Sequence, residues 1–168
     1  LMRAFRCGKL THSALNGTLR LFLNPEKLID THPVYSMIAT PMDIIKRRAQ
    51  RIARWIRKTV DLSGSSIEVQ QGITQMGSGS LPGEGIPTFV VSFRSTKFTI
   101  ERFAFALREA TPPLFTRIAD ERILIDARTI ADEEVRQIAD CIAQAITICE
   151  KGKDLLTGYN VSEGIQIG

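Results

Sequence analysis

A single amphipathic helix is the feature of this sequence that most limits how the chain can fold. Thr40 and Pro41 form a good helix start, because threonine caps free backbone N–H groups and proline suits the first helical position. Seven basic residues and one acidic residue give residues 41–60 a net charge of +6. The apolar residues of this stretch recur at helical spacing on one side: Met42, Ile45, Ala49, Ile52, Ile56 and Val60. The pattern predicts a helix that buries one face, and we interpret it as a linker helix.

The patterns on either side of this helix divide the chain into three parts. Apolar spacing over residues 11–23 predicts an earlier helix, and Pro33 forces the chain to turn or extend just before it. Small turn-forming residues after position 60 mark a boundary. We therefore expect residues 1–60 to contain linker helices, residues 61–150 to form a compact domain, and residues 151–168 to be an extended or mobile tail unless a partner orders them.

The compact middle part has the periodicities of an α+β domain. Alternating apolar residues and β-branched runs indicate strands, whereas wider apolar spacing indicates helices. The order ββαββα predicts the α/β class, as a small antiparallel sheet covered on one face by two helices. The predicted elements are strands near Ile67 and at 88–93, a helix over 100–107, a hairpin of 114–118 and 122–126 around Asp120-Glu121, and a helix from about Glu133.

Charge is divided unevenly along the 168 residues. Residues 1–60 contain twelve basic and three acidic side chains, a net +9, whereas residues 61–168 contain ten and fifteen, a net −5. A basic half favours an RNA or phosphate partner, because Lys and Arg release counterions from phosphates. Arg47, Arg51 and Arg54 on the amphipathic helix are the candidate RNA contacts. The alternative is a solvated helix face without a partner.

The spacing of the cysteines and histidines argues against a disulfide framework and against a metal site. Three cysteines without CxxC spacing favour free thiols in a reducing compartment, so we expect a cytoplasmic protein. The sequence has no apolar run long enough to predict a membrane span. His12 and His32 have no second ligand at metal-binding spacing, so no metal site is predicted.

A glycine-rich stretch, MGSGSLPGEGIP, lies before the strand at 88–93. We call its residues Gly77, Ser78, Gly79 and Ser80 the glycine-serine segment. It is not a phosphate-binding P-loop, because it lacks the GK[ST] ending and leads into a strand pattern rather than a helix. Two interpretations remain open: a tight connection between strands, or a loop that lines an active site.

Several independent stretches of the sequence resemble one enzyme family. They are LMRAFRCGKLT, TLRLFLNPEKL with PVYSMIATP, QMGSGSLPGEGIP, and ATPPLFTRIADERILIDARTI. Together they are similar to the C-terminal portion of bacterial L-seryl-tRNA(Sec) selenium transferases, also called selenocysteine synthases, over residues 1–146. The resemblance implies a fold-type I enzyme that uses pyridoxal phosphate. This chain would supply the end of the cofactor-binding core, linker helices and the small domain that closes over the site.

The resemblance also implies an activity and its partners. The family converts L-seryl-tRNA(Sec) to L-selenocysteinyl-tRNA(Sec), with pyridoxal phosphate as electron sink and selenophosphate as selenium donor. No lysine of this sequence stands in the family's cofactor-lysine context, so we expect the catalytic lysine upstream and the chain alone to be inactive. The family's rings of dimers imply a homo-oligomer.

Three arginines match family positions or have the chemistry to bind an anion. Arg3 matches a family arginine near the active site, and a guanidinium suits two-pronged binding of phosphate or selenophosphate. Arg6 is the second candidate, and for both the alternative is a salt bridge within the complete protein. Arg128 stands where fold-type I relatives often bind a carboxylate, but an ion pair with Asp126 or another acid is the simpler interpretation.

Two rival functions remain open at this stage. The first is a related pyridoxal phosphate ammonia-lyase acting on a phosphorylated sugar acid, which the consumption of seryl-tRNA would distinguish. The second is a non-catalytic module that binds RNA or assembles subunits through the helix at 41–60.

Overall fold

The structure is a computed structural model that describes residues 7–75 and 85–156, with side chains as far as Lys151. The chain divides into two compact units, Leu1–Pro41 and Met42–Gly168, which are described separately. Helices and one antiparallel sheet are both present, so the predicted α/β class is confirmed. Among the described residues, no helix has the length and apolarity of a membrane span.

The first unit is helical. Helix α1 (Lys9–Leu21) confirms the predicted first helix, and a 3-10 turn (Pro25–Lys27), α2 (Leu28–Thr31) and α3 (Pro33–Ala39) follow it. The short helices were not predicted, because so few residues cannot show a 3.6-residue repeat. Phe22, His32 and Tyr35 contact one another edge to face, with ring centroids 5.1–5.8 Å apart.

The second unit begins with α4 (Met42–Thr59) and continues in the predicted order ββαββα. Its four strands form one sheet in the spatial order β1-β2-β4-β3, in which all neighbours are antiparallel. Helix α6 continues through residues 151–156, which the sequence predicted as part of an extended or mobile tail. Extending an existing helix costs less than starting one, and this outweighs the penalty of Gly152. The remaining elements are β1 (Ser65–Gln75), β2 (Gly85–Ser95), α5 (Ile100–Glu109), β3 (Arg117–Ala119), β4 (Arg122–Asp126) and α6 (Val135–Leu156).

Two hairpins set the register of the sheet. In the first, β1 and β2 pair along their whole length, from Ser65 opposite Ser95 to Gln75 opposite Gly85. In the second, β3 and β4 are joined by Asp120-Glu121, whose φ angles of 50° and 54° are those of a two-residue type I′ turn. The predicted hairpin is confirmed, although β3 is shorter than the predicted strand at 114–118.

The apolar stripe of α4 is buried in the core of the second unit. Ile45, Ala49, Ile52 and Ile56 are inaccessible to solvent, and α4 packs against β1, β2 and α6. The core-facing side of the sheet supplies Val91, Phe93, Ile123 and Ile125, while α5 and α6 supply further members of the same cluster. Helix α4 therefore packs with the sheet as a third helix beside the two predicted ones, because its stripe matches the apolar side of β2.

Replacing Ile52 by Ala should lower the free energy of unfolding by about 2–5 kcal/mol, because truncating a fully buried side chain leaves a cavity. Gln50→Ala, on the exposed side of the same helix, is the matched control and should change it by less than about 0.5 kcal/mol. Urea denaturation followed by circular dichroism measures both. Similar small effects for the two variants would contradict the packing of α4.

Candidate functional site

The sheet face that points away from the apolar core carries a polar network centred on Asp126. Asp126 lies at the end of β4, and its carboxylate is only 10% exposed. It accepts hydrogen bonds from the hydroxyls of Thr74 and Thr88, the latter at 2.7 Å, and from the backbone N–H of Arg128 at 3.0 Å. Thr74 precedes the glycine-serine segment and Thr88 follows it. The carboxylate therefore ties both flanks of that segment to β4.

Strand register brings these three side chains together. Gly72 pairs with Thr88 and Thr74 pairs with Ile86, so the two threonines are diagonal neighbours on one face of the hairpin. Asp126 pairs with Val90, two residues beyond Thr88, and so lies on that same face. Residues far apart in sequence thus form one cluster across three strands.

Arg117 adds a cation to the network from the edge strand β3. Its Nη1 donates a hydrogen bond of 2.9 Å to the carbonyl of Ile73, and its Nη2 lies 3.6 Å from Asp126 Oδ2. The side chain is about half exposed, so part of the guanidinium faces solvent. Arg117 was not among the predicted site residues; its place inside the stretch that resembles the enzyme family was the only signal available.

A concave site of about 460 Å³ lies next to this network. Thr74, Arg117 and Asp126 provide polar groups to its wall, and Phe115 and Ile130 provide apolar ones. A site of this volume with a few convergent polar groups is large enough for a small ligand or for part of a larger one. This part of the polar sheet face is the candidate functional site.

Arg128, predicted as a possible anion ligand, is buried beside the network. Its guanidinium donates a hydrogen bond to the carbonyl of Pro87 and lies 3.7 Å from the sulfur of Met42. Burial lowers the pKa of Arg128, and the charge of Asp126 opposes this shift. These contacts hold the segment that enters β2. Binding of a substrate anion by Arg128 stays a prediction.

The three predicted RNA contacts on α4 have different surroundings. Arg47 pairs with Asp43 at 2.8 Å, and Arg51 pairs with Asp132 at 3.0 Å. Arg54 is exposed and has no ion pair within the described part of the chain. The structure thus distinguishes Arg54 from the other two, and RNA contact by any of them stays a prediction.

Several predicted site residues lie outside the described residues. They are Arg3, Arg6 and the glycine-serine segment, Gly77, Ser78, Gly79 and Ser80. Within residues 7–75 and 85–156, no cluster of three or more His, Cys, Asp or Glu side chains could hold a metal ion.

The lysines show whether the described residues fit a covalently bound pyridoxal phosphate. Such a cofactor needs a lysine in an enclosed pocket, where desolvation favours the reactive neutral amine. Every lysine whose side chain is described is exposed: Lys9, Lys27, Lys46, Lys58, Lys97 and Lys151. The described residues do not fit the covalent attachment of this cofactor.

The fold and the site together define a small α+β domain with helices on one sheet face and a polar, ligand-sized site on the other. The chain belongs to the L-seryl-tRNA selenium transferase family, whose sequence model matches residues 1–131. This match confirms the resemblance inferred from the sequence, and it includes every residue of the Asp126 network.

Relatives named L-seryl-tRNA(Sec) selenium transferase agree with this assignment. The protein of Clostridium botulinum strain 657 is 34% identical over 83% of this chain and 30% of its own length. Those of Maridesulfovibrio salexigens and Carboxydothermus hydrogenoformans are 35% and 33% identical over 87% and 80% of this chain. The alignments cover 31% and 28% of these two relatives. The chain thus spans about a third of the length of its relatives.

Asp126→Ala should lower the free energy of unfolding by roughly 1.5–3 kcal/mol, because it leaves buried donors without an acceptor. Glu68→Ala, which removes the exposed partner of Arg122, is the control and should cost about 1 kcal/mol or less. Guanidinium denaturation compares the two variants. Hydrogen exchange of the amides near Thr74 and Thr88 should also accelerate in Asp126→Ala. Unchanged exchange there would refute the role of the carboxylate as a tie between strands.

Proposed function

We propose that this chain forms the C-terminal α+β portion of a pyridoxal phosphate-dependent enzyme that converts L-seryl-tRNA(Sec) to L-selenocysteinyl-tRNA(Sec). Selenophosphate is the proposed selenium donor. The observation that carries the proposal is the family match over residues 1–131, because it spans the sheet, the site and the segment between β1 and β2. The names of the relatives support the same substrate and product class.

The proposed role of the polar sheet face is to position the glycine-serine segment. Hydrogen bonds from Thr74 and Thr88 to one buried carboxylate fix the two flanks of that segment relative to β4. Fixing both flanks reduces the conformational entropy that ligand binding at this site would cost. Arg117 offers a half-exposed guanidinium at the same site, which suits an anionic group of the substrate or donor.

Pyridoxal phosphate belongs to this proposal as a cofactor of the complete enzyme. Every lysine with a described side chain is exposed, and no lysine of this sequence stands in the family's cofactor-lysine context. We therefore assign the covalent attachment to a lysine outside this chain, and we expect the chain alone to be inactive. Residues 1–60 would then join the end of the cofactor-binding core to the small domain. Assembly into a homo-oligomer is part of the same proposal.

Incubating the isolated chain with pyridoxal phosphate and borohydride should give no stoichiometric adduct on one specific lysine. Exposed lysines react slowly and without selectivity, because no pocket positions the cofactor against one amine. Peptide mass spectrometry after reduction measures the adducts, and the complete enzyme is the positive control. One fully modified lysine in the isolated chain would contradict the assignment.

Arg3 is the proposed ligand for the selenium donor, and Arg6 is the second candidate. In the complete enzyme, Arg3→Ala should lower kcat/KM for selenophosphate by about tenfold to a hundredfold, because a charge-assisted contact worth roughly 1.5–3 kcal/mol is lost. Affinity for tRNA should change little, since it is spread over many phosphate contacts. Arg3→Lys should restore part of the loss, because it keeps the charge without the planar fork.

Arg20→Ala is the matched control for this experiment, because Arg20 is an exposed arginine that donates a hydrogen bond to Asn16 on its own helix. It should leave the selenophosphate kinetics unchanged. Normal kinetics in Arg3→Ala, or a loss explained by misfolding in circular dichroism, would overturn the anion-binding role. Consumption of seryl-tRNA in the same assay separates the proposed enzyme from an ammonia-lyase of a phosphorylated sugar acid.

A further inference from the structure

One aromatic side chain on α4 holds two cations that come from different helices. Trp55 is partly buried against the core. Lys58 Nζ lies 5.3 Å from the ring centroid of Trp55, and Arg136 Cζ, from α6, lies 4.9 Å from it. Cation–π contact with an indole restrains both charges, which would otherwise sample many rotamers. We call Arg54, Trp55, Lys58 and Arg136 the Trp55 patch.

The cations of this patch are not neutralised by acids of the described chain. Arg47, Arg48 and Arg51 each pair with Asp43 or Asp132. In contrast, Arg54, Lys58 and Arg136 form no ion pair among the described residues. The acids nearest to Arg136 in sequence are Asp132, Glu133, Glu134 and Asp140, and none of them forms an ion pair with it. Arg54 and Lys58 are four residues apart on α4, so they lie on the same side of the helix.

The chemistry of the patch suits a polyanion more than an apolar partner. No exposed large hydrophobic side chain lies on α4. Those described in the second unit lie on other elements: Ile73, Phe105, Phe115, Ile118 and Ile148. Lys58 and Arg136 are already restrained by contact with the indole, so binding a phosphate costs little side-chain entropy. Positive charge without an apolar surround is typical of contact with a nucleic-acid backbone.

We propose that the Trp55 patch binds the phosphate backbone of the tRNA substrate. The identity of the RNA rests on the proposed function, but the binding surface follows from the arrangement of its cations. Arg54, Lys58 and Arg136 replace Arg47 and Arg51 as the main contacts, because acids already hold the latter two. Trp55 orients the cations and does not stack on a base.

The test measures binding of unacylated tRNA(Sec) transcript to this chain by filter binding over a salt series from about 50 to 200 mM. Each phosphate contact adds about 0.9 to the slope of log affinity against log salt. The double variant Lys58→Ala/Arg136→Ala should therefore have a slope shallower by about two. Between the lowest and the highest salt concentration, the factor by which its affinity falls should be roughly ten times smaller than the factor for the wild type.

Trp55 also reports directly on the site, because it is the only tryptophan of the chain. Saturating tRNA should change its fluorescence, because phosphate groups then approach the two cations that contact the indole. The change should follow the binding curve measured on filters. A fluorescence signal that does not respond to saturating tRNA would place the RNA elsewhere on the chain.

Two variants serve as controls for the salt series. Arg47→Ala removes another exposed arginine of α4, one that is paired with Asp43, and it should keep the wild-type slope. Lys58→Arg/Arg136→Lys keeps both charges and should also keep the slope. Circular dichroism confirms that each variant is folded.

Three results of the salt series and its competition control would overturn the proposal. They are an unchanged slope in the double alanine variant, an equal loss in Arg47→Ala, and competition by poly-glutamate as effective as that by tRNA. The last result would identify an acidic polypeptide as the partner instead. Absence of any tRNA binding would also overturn it, while leaving the proposed enzyme activity to the Arg3 experiment.

Discussion

Burial of one side of α4 against the sheet is the interaction on which the rest of the second unit depends. The stripe from Ile45 to Ile56 lies in the same core cluster as Val91, Phe93 and Ile123. The helices cover the sheet face that carries Val91, Phe93 and Ile123. The polar side chains of β1, β2 and β4 therefore lie on the opposite face of the sheet. The same packing turns the basic side of α4 outward. The packing of α4 on the sheet thus determines three surfaces: the buried face of the sheet, the opposite face with the ligand-sized site, and the cationic side of α4.

Asp126 joins this architecture to the proposed chemistry. Burying most of a carboxylate destabilises the folded protein unless charged or polar donors surround it. Two hydroxyls, a backbone N–H and Arg117 surround the carboxylate of Asp126. All these groups lie within the stretch that matches the selenium transferase family. The donors come from the flanks of the glycine-serine segment and from an edge strand. The network therefore holds the strand residues on both sides of that segment close to β4.

Local patterns in the sequence were enough to predict most of the fold. The stripe on α4, the order ββαββα and the Asp120-Glu121 hairpin were predicted because each depends on residues close together in the chain. Helices α2 and α3 were missed because they are too short for a periodic signal, and residues 151–156 were missed because Gly152 and the charged residues around it hide a continuing helix.

The site was harder to predict than the fold, because its geometry depends on strand register. Thr74 and Thr88 lie 52 and 38 residues from Asp126, and only the pairing of three strands brings them together. No motif in the sequence marks such a set. The resemblance to a family drew attention to the right stretches, but it did not single out Asp126 or Arg117. Arg51 was grouped with Arg54 because the position of Asp132 relative to Arg51 follows from the fold. Arg47 could have been distinguished from the sequence, since Asp43 stands four residues before it on the predicted helix.

The most direct test of this account is the steady-state rate of selenocysteinyl-tRNA formation by the complete enzyme carrying Asp126→Asn. The amide keeps the shape of the side chain but loses the charge and one acceptor, so the flanks of the glycine-serine segment should be held less firmly. The account predicts that kcat falls between about tenfold and a hundredfold, as for a misplaced active-site element, while affinity for tRNA stays unchanged. A folded Asp126→Asn enzyme with the kcat of the wild type would contradict it.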